Sequence, residues 1–120
     1  MNIPSKVKIG YKDYTVNKID DTVVTDDIIC YGNIDFNKSI INISTLHHEE
    51  QQKCTFIHEC LHGIDEIVEA KLTEDQVRLI SKGLYDFIKT NPDVFESNSK
   101  QAIIHRKSWI NGKVEETEIK

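Results

Sequence analysis

The chain has few of the positive charges that a nucleic-acid-binding protein needs. Its 120 residues include 15 Lys and Arg against 20 Asp and Glu, which gives a net charge of −5. Proteins that bind a phosphate backbone concentrate positive charge on one face, since the contacts to phosphate are largely electrostatic. The acidic balance therefore argues against nucleic acid as a partner.

Long apolar runs are lacking as well. No stretch approaches the roughly 20 apolar residues that a membrane-spanning helix requires. Residues 1–6 also lack the apolar segment of a secretion signal. We therefore expect a cytoplasmic protein without membrane association.

Cysteine and proline are scarce. The three cysteines, Cys30, Cys54 and Cys60, are odd in number and show no CxxC spacing, so neither a disulfide framework nor a thiolate zinc site is indicated. Two prolines, 38% hydrophobic residues and 29% charged residues are typical of a globular protein, and the length suits one compact domain.

The first half of the sequence has the two-residue period of β-strands. Apolar and polar residues alternate through 7–19 around turn-forming residues at 10–13, which predicts an N-terminal hairpin. A second strand pair is predicted at 29–35 and 40–43, joined by a turn at 36–39. These segments predict a small antiparallel sheet.

The period becomes helical from about residue 48 to about residue 69, with Ser44 or Thr45 as the expected N-cap. A second helix begins at Thr73, where Gln76 completes a capping box, and ends before the Asn-Pro pair that follows it. Five apolar residues form the predicted core face of the second helix: Val77, Ile80, Leu84, Phe87 and Ile88. The fold class predicted is α+β, with the antiparallel N-terminal sheet packed on two helices.

The C-terminal residues are predicted to extend this domain. Residues 96–100 are polar and have the composition of a linker, and 103–119 alternate around an Asn-Gly pair that favours a type I′ hairpin turn. We therefore expect one main domain over 1–95, with 96–120 forming a linker and β-hairpin of the same domain.

The first predicted helix carries the motif His58-Glu59-Cys60-Leu61-His62, an HExxH sequence. His58 and His62 lie one helical turn apart on the same face and can bind the same Zn²⁺ ion. Glu59 can exchange a proton with water at the metal, as general base and acid. Given five His in the chain, the motif would arise by chance in roughly 2% of such sequences. It therefore favours a zinc site over an ordinary helix surface.

A catalytic zinc ion usually takes three protein ligands and keeps one position for water. Glu74, in the first turn of the second helix, is the expected third ligand, because a helical hairpin brings the start of the second helix near the end of the first. Glu66, one turn beyond His62, is an alternative, but it lies about 12 Å from His58 along a straight helix axis. His105 would serve if the C-terminal hairpin folded back.

Three further side chains could support such a site. Asp65 or Glu66 could orient a ligating histidine through its ring N–H. Tyr85 lies about three turns beyond Glu74 on the same helix face and could donate a hydrogen bond to an oxyanion, or could simply pack at the edge of the core.

The motif helix, the two strand pairs and the segment Leu72-Thr73-Glu74-Asp75-Gln76-Val77 resemble small HExxH proteins of bacteriophages and mobile elements, which look like minimal zincins. Over about residues 3–95 the chain is more distantly similar to the ImmA/IrrE metallopeptidases. The third ligand of that family is a Glu in an ExxA context on the next helix, matched here by Glu74, with Val77 in the Ala position and a shorter gap between the helices.

The resemblance implies a zinc metallopeptidase of the bacterial cytoplasm that acts on a protein or peptide substrate, with a sheet edge holding an extended segment beside the metal. The sequence is also compatible with two other interpretations. One is a non-catalytic protein-binding factor on a zincin scaffold, which a fourth protein ligand would favour. The other is a metal-free helix surface, which absence of stoichiometric metal would favour.

Overall fold

The computed structural model describes residues 1–95. Residues Met1–Thr90 form one compact unit, and the described part of a second unit, which starts at Asn91, contains a short 3-10 helix at Pro92–Val94. The first unit contains six strands and two helices: β1 (Lys6–Ile9), β2 (Lys12–Ile19), β3 (Val23–Thr25), β4 (Ile28–Cys30), β5 (Gly32–Asp35), β6 (Ile40–Ser44), α1 (Glu49–Val68) and α2 (Glu74–Thr90). The α+β class is confirmed. The predicted C-terminal linker and hairpin lie outside the described residues.

The main sheet has four strands in the order β1-β2-β6-β5. Both predicted hairpins are present, since β1 pairs with β2 and β5 pairs with β6 in antiparallel fashion. The two hairpins join through a parallel contact between β2 and β6, in which Val16 is opposite Ile41 and Lys18 is opposite Ile43. The sheet is therefore rich in antiparallel pairing but mixed, because the chain crosses from β2 to the outer strand β5 before it returns along β6.

The crossing segment folds into a small hairpin of its own. Strands β3 and β4 pair in antiparallel fashion around Asp26 and Asp27, which both have positive φ, 52° and 64°. The Asn33 side-chain amide donates a hydrogen bond of 3.0 Å to Thr25 Oγ1 and thereby ties this hairpin to β5. The strand predicted at 29–35 is in fact two strands, because most of β4 and all of β5 fall within it and the strand is interrupted at Tyr31. Alternation does not indicate β3, which has three residues and largely exposed side chains.

Helix α1 begins later than its expected caps. The sequence predicts Ser44 or Thr45 as the N-cap, but the N-cap is His48 and its side chain makes no capping hydrogen bond. Ser44 belongs to β6, where its hydroxyl donates to the backbone oxygen of Asp21 at 2.8 Å. The backbone N–H of Thr45 donates to the Ile19 oxygen at 2.8 Å, so sheet pairing takes precedence over capping.

Helix α2 starts as the sequence predicts. The Thr73 N–H donates to Gln76 Oε1 at 2.9 Å, and the Gln76 N–H donates to Thr73 Oγ1 at 3.1 Å, which is a reciprocal capping box. The predicted core face is only partly buried: Val77 is fully buried, whereas Ile80 and Phe87 are 45% and 46% exposed. The reason is that α2 packs mainly against α1, and α1 covers the sheet.

The core lies between α1 and the sheet. Seven buried residues form it: Ile9, Tyr14, Val16, Ile41, Ile43, Phe56 and Ile57. Gly63 lets α1 approach the sheet closely, since a Cβ at this position would lie 2.8 Å from Ile9 Cδ1 and 3.4 Å from Ile34 Cδ1. The position of α1, and with it the position of the HExxH motif, is therefore fixed by close packing. Among residues 1–95 no helix combines the length and apolar character needed to cross a bilayer.

Candidate metal centre

The two histidines of the motif converge on one point. Their Nε2 atoms are 3.2 Å apart, and their ring centroids are 4.9 Å apart with an interplanar angle of 65°. The side chains of His58 and His62 are 19% and 25% exposed, so each ring is mostly covered while Nε2 faces the other ring. The one-turn spacing in α1 produces this convergence directly.

Glu74 completes the group from α2. Its Oε2 atom lies 2.8 Å from His58 Nε2, and its Oε1 atom lies 3.1 Å from His62 Nε2. One ligand atom from each of the three side chains lies within 4.8 Å of the others, so the group could hold a metal ion. The residue expected from sequence as the third ligand is therefore at the site.

The connection between the helices places Glu74. Helix α1 ends at Val68, and its C-cap Glu69 adopts a left-handed conformation with φ 57°. The Glu69 N–H donates to the Asp65 backbone oxygen at 2.7 Å. The Asp65 carboxylate accepts a hydrogen bond of 3.4 Å from the Leu72 N–H. The capping box at Thr73 then fixes the start of α2, so local hydrogen bonds bring Glu74 back to the motif.

The three side chains fit a divalent cation. Donors about 2.0–2.1 Å from a tetrahedral Zn²⁺ lie about 3.3–3.4 Å apart. The two Nε2 atoms are 3.2 Å apart, close to that spacing, and they lie 2.8 Å and 3.1 Å from different oxygens of the Glu74 carboxylate. Burial, followed by the nearby His62, lowers the pKa of His58 against the opposing effect of Glu74. A neutral imidazole is the form that binds metal. If both Nε2 atoms carried a proton and donated to Glu74, their two N–H groups would face and repel each other. A shared cation instead interacts favourably with both Nε2 atoms and with the Glu74 carboxylate.

Glu59 lies beside this group in a covered position. Its side chain is only 6% exposed, and within residues 1–95 no cation pairs with its carboxylate. Burial, with a smaller contribution from the negative charge of Glu74, raises the pKa of Glu59 to about 8. Burial therefore favours the protonated form of this carboxyl group, and positive charge added nearby would favour the carboxylate.

Cysteine does not contribute to the group. All three cysteines are free, as the sequence indicated. Burial, with a smaller contribution from Glu59, raises the pKa of Cys60 to about 12. The thiol inside the motif therefore stays protonated, and a thiolate ligand is not available from it.

The group opens into a cleft of about 820 Å³. Helix α1 forms the floor through Gln51, Cys54, Thr55, His58, Glu59 and His62. Helix α2 forms one wall through Glu74, Arg78, Ser81 and Lys82. The β3–β4 hairpin and β5 supply most of the opposite wall, which includes Asp26, Ile28, Cys30, Asn33 and Ile34. The metal-binding group therefore faces a space large enough for part of a peptide.

The remaining predicted site residues lie elsewhere. Glu66 pairs with Lys12 at 3.5 Å, which directs it to the sheet rather than to the histidines. Asp65 holds the inter-helix connection and makes no described hydrogen bond to a histidine. Tyr85 packs against the hydrophobic core and does not line the cleft. His105 lies outside the described residues.

Sequence reasoning missed the cleft walls. Arg78 and Lys82 follow Glu74 at intervals of four residues, so helical projection onto the Glu74 face could have identified them. The β3–β4 hairpin gave no comparable signal. Comparisons with protein-family models, curated proteins and solved structures gave no match. The interpretation of the site therefore depends on its own geometry.

Proposed function

We propose that the protein is a zinc-dependent peptidase in which His58, His62 and Glu74 hold the ion and Glu59 transfers protons. The observation that carries this proposal is the convergence of three donor atoms within 4.8 Å at the wall of an open cleft. Among residues 1–95 no fourth His, Cys, Asp or Glu joins the group. Three protein ligands are typical of catalytic zinc, whereas structural sites usually have four.

The roles follow from the positions of the side chains. Zinc supplies Lewis-acid polarisation of a scissile carbonyl and acidification of water. The two imidazoles and Glu74 bind and orient the ion, and the hydrogen bonds around the α1–α2 connection keep Glu74 in place. The Glu59 carboxylate accepts a proton from the attacking water and returns it to the leaving amine.

The resemblance to minimal zincins, and more distantly to the ImmA/IrrE metallopeptidases, supports the same proposal. It implies that the third ligand is a Glu on the helix after the motif, which is where Glu74 lies. We accordingly propose a bacterial cytoplasmic enzyme, encoded by a phage or mobile element, whose substrate is a protein or peptide.

The proposal can be tested with a matched pair of variants. Glu59→Gln removes the proton-accepting carboxylate but no ligand, so it should bind one zinc per chain and lose cleavage of a fluorogenic peptide library. Glu66→Gln makes the same chemical change on the Lys12 side of α1 and should keep both properties. Cleavage by Glu59→Gln at the wild-type rate, or no cleavage by zinc-loaded wild type, would contradict the proposal.

A second candidate is a non-catalytic factor that binds another protein. The observation in its favour is the exposed apolar surface of the β3–β4 hairpin, where Val24, Ile28 and Ile29 are 54%, 65% and 70% exposed. Exposed apolar clusters are typical of protein contact sites. Replacement of Ile28 and Ile29 by Ser should then abolish partner binding, while Glu59→Gln should leave it unchanged.

A further inference from the structure

The cleft wall formed by α2 is positively charged, unlike the protein as a whole. Arg78 and Lys82 line the cleft together with Glu74, in a chain whose net charge is −5. Lys82 makes no ion pair with any residue in the described part of the chain. Arg78 contacts Asp75 at 3.4 Å, but both side chains are well exposed, and such a pair contributes little. Both cations are therefore available to a ligand.

The opposite wall has the opposite character. The turn of the β3–β4 hairpin brings Asp26 to the cleft, and Ile28, Ile34 and Phe36 add apolar surface on that side. A negative side chain in the cleft would be repelled by Asp26 and attracted by Arg78 and Lys82. The charges thus favour one orientation, in which acidic groups face α2.

The spacing of the cations matches an extended peptide. Along α2, the Cα atoms of Arg78 and Lys82 lie about 6 Å and 12 Å beyond that of Glu74, because each residue rises about 1.5 Å. Side chains on the same side of an extended strand repeat about every 6.6–6.8 Å. Two alternate side chains of one strand would therefore come opposite the two cations in succession.

The direction of the cleft supports this arrangement. Lys89 near the end of α2 pairs with Glu50 near the start of α1, so the two helices run antiparallel. The floor beside Arg78 and Lys82 is accordingly the N-terminal part of α1, with Thr55, Cys54 and Gln51 lining it. A peptide held at the metal-binding group could extend along this floor, parallel to the charged wall.

We propose that the cleft selects a peptide segment with acidic side chains at alternate positions to one side of the scissile bond, and that Arg78 and Lys82 bind those carboxylates. The scissile bond belongs to the proposed peptidase function, but the charge selection is a binding property and can be measured without turnover. A free C-terminal carboxylate offers the same chemistry, so the test distinguishes the two sources.

The test measures binding of fluorescent peptides to zinc-loaded Glu59→Gln protein, full length, by fluorescence anisotropy. Three acetylated and amidated peptides differ only at alternate positions, which carry Glu, Gln or Lys. The Glu peptide should bind about tenfold tighter than the Gln peptide at low salt, and this preference should weaken as salt rises. A Gln peptide with a free C-terminal carboxylate shows whether a terminal carboxylate is recognised in place of acidic side chains.

Variants assign the preference to the wall. With Arg78→Gln and Lys82→Gln combined, the Glu peptide should lose its advantage, and with Arg78→Glu and Lys82→Glu the Lys peptide should become the tighter ligand. Lys18→Gln, which removes an exposed charge on β2 away from the cleft, should preserve the wild-type order. Circular dichroism confirms that each variant folds, and the reversal of preference requires a folded protein.

Equal binding of the Glu and Gln peptides overturns the inference. It is also overturned if Lys18→Gln loses the preference for the Glu peptide as fully as the combined Arg78→Gln and Lys82→Gln variant does. Tighter binding only of the peptide with a free terminus also overturns it, because the terminal carboxylate would then be the group recognised. Cleavage without a preference for acidic residues contradicts this inference but not the peptidase proposal. A preference without any cleavage by the wild type supports the inference while it contradicts the peptidase proposal.

Discussion

The Glu74 carboxylate lies 2.8 Å from Nε2 of His58, although the two residues belong to different helices. This contact depends on the turn between α1 and α2, where Asp65 and the Thr73 capping box hold the connecting backbone. The HExxH motif supplies two donors through local helix geometry, but the third requires a tertiary arrangement. The contact between Glu74 and His58 therefore connects the fold of the protein to its proposed chemistry.

Loss of Glu74 should weaken metal binding strongly. Glu74→Gln replaces a charged ligand by a neutral amide, so we expect zinc affinity to fall by a factor of about 100 or more, measured by competition with a chromogenic chelator. Asp75→Asn is the matched control, since Asp75 is the next residue, is 82% exposed, and does not line the cleft. Equal affinities of the two variants would remove Glu74 from the ligand set.

Glu59 should make the stability of the metal-free protein depend on pH. Its folded pKa of about 8 lies above the ordinary value of 4.5, so the folded state binds the proton more tightly than the unfolded state. The free energy of unfolding should therefore fall as the pH rises from about 4.5 to about 8. Glu59→Gln cannot ionise and should be more stable than wild type at pH 8, by on the order of 2–4 kcal/mol.

Urea denaturation of chelator-treated protein at a series of pH values measures this effect. The Glu66→Gln variant removes an exposed carboxylate from the same helix and should follow the wild-type pH dependence much more closely. If the free energy of unfolding changed with pH in the same way in Glu59→Gln and in wild type, the buried carboxyl group would not be the origin of the pH dependence.

The two glycines in the helices should respond in opposite ways to alanine. A Cβ at Gly83 meets no atom within 4 Å, whereas one at Gly63 would lie 2.8 Å from Ile9 Cδ1. Gly83→Ala should stabilise the protein by about 0.5–1 kcal/mol through helix propensity. Gly63→Ala should be less stable than Gly83→Ala by at least about 1 kcal/mol. It has the same gain in helix propensity, but its Cβ would crowd the packing between α1 and the sheet. Thermal unfolding of both variants, each against wild type, gives the comparison; equal effects would contradict the close packing of α1.

Glycine at the end of α1 should stabilise the fold. Glu69 has a φ of 57° at the helix C-cap, a conformation that a side chain disfavours. Glu69→Gly should raise the free energy of unfolding by about 0.5–1 kcal/mol. Glu69→Ala removes the same charge but keeps Cβ, so it separates the backbone effect from the charge effect. Equal unfolding midpoints for the two variants would contradict the explanation.

The parts of the fold that local sequence determines were predictable. The one-turn spacing of His58 and His62 required only helix geometry, and the Thr73 and Gln76 capping box is a contact between near neighbours. Glu74 followed from the expectation that two consecutive helices form a hairpin. For these residues, the spacing along the sequence directly determines which side chains come into contact.

Other features depended on contacts between distant residues. Ser44 has the side chain of an N-cap but bonds to Asp21 in the sheet, and no local pattern showed that competition. The parallel pairing of β2 with β6 depends on the path of the crossing segment. Its strands around Asp26 and Asp27 are short and largely exposed, and the sequence pattern does not separate β4 from β5. The acidic turn of this segment and the basic residues of α2 form a cleft only when the tertiary fold brings them together.

The central claim is that His58, His62 and Glu74 bind one zinc ion and leave a coordination position open. X-ray absorption spectroscopy at the zinc edge, on protein loaded with one equivalent of zinc, tests it most directly. We expect one tightly bound ion per chain, with two imidazole ligands, oxygen ligands and no sulfur, and we expect one imidazole to be lost in His62→Ala. Absence of stoichiometric zinc, or a first coordination sphere that contains sulfur or is unchanged in His62→Ala, would contradict it.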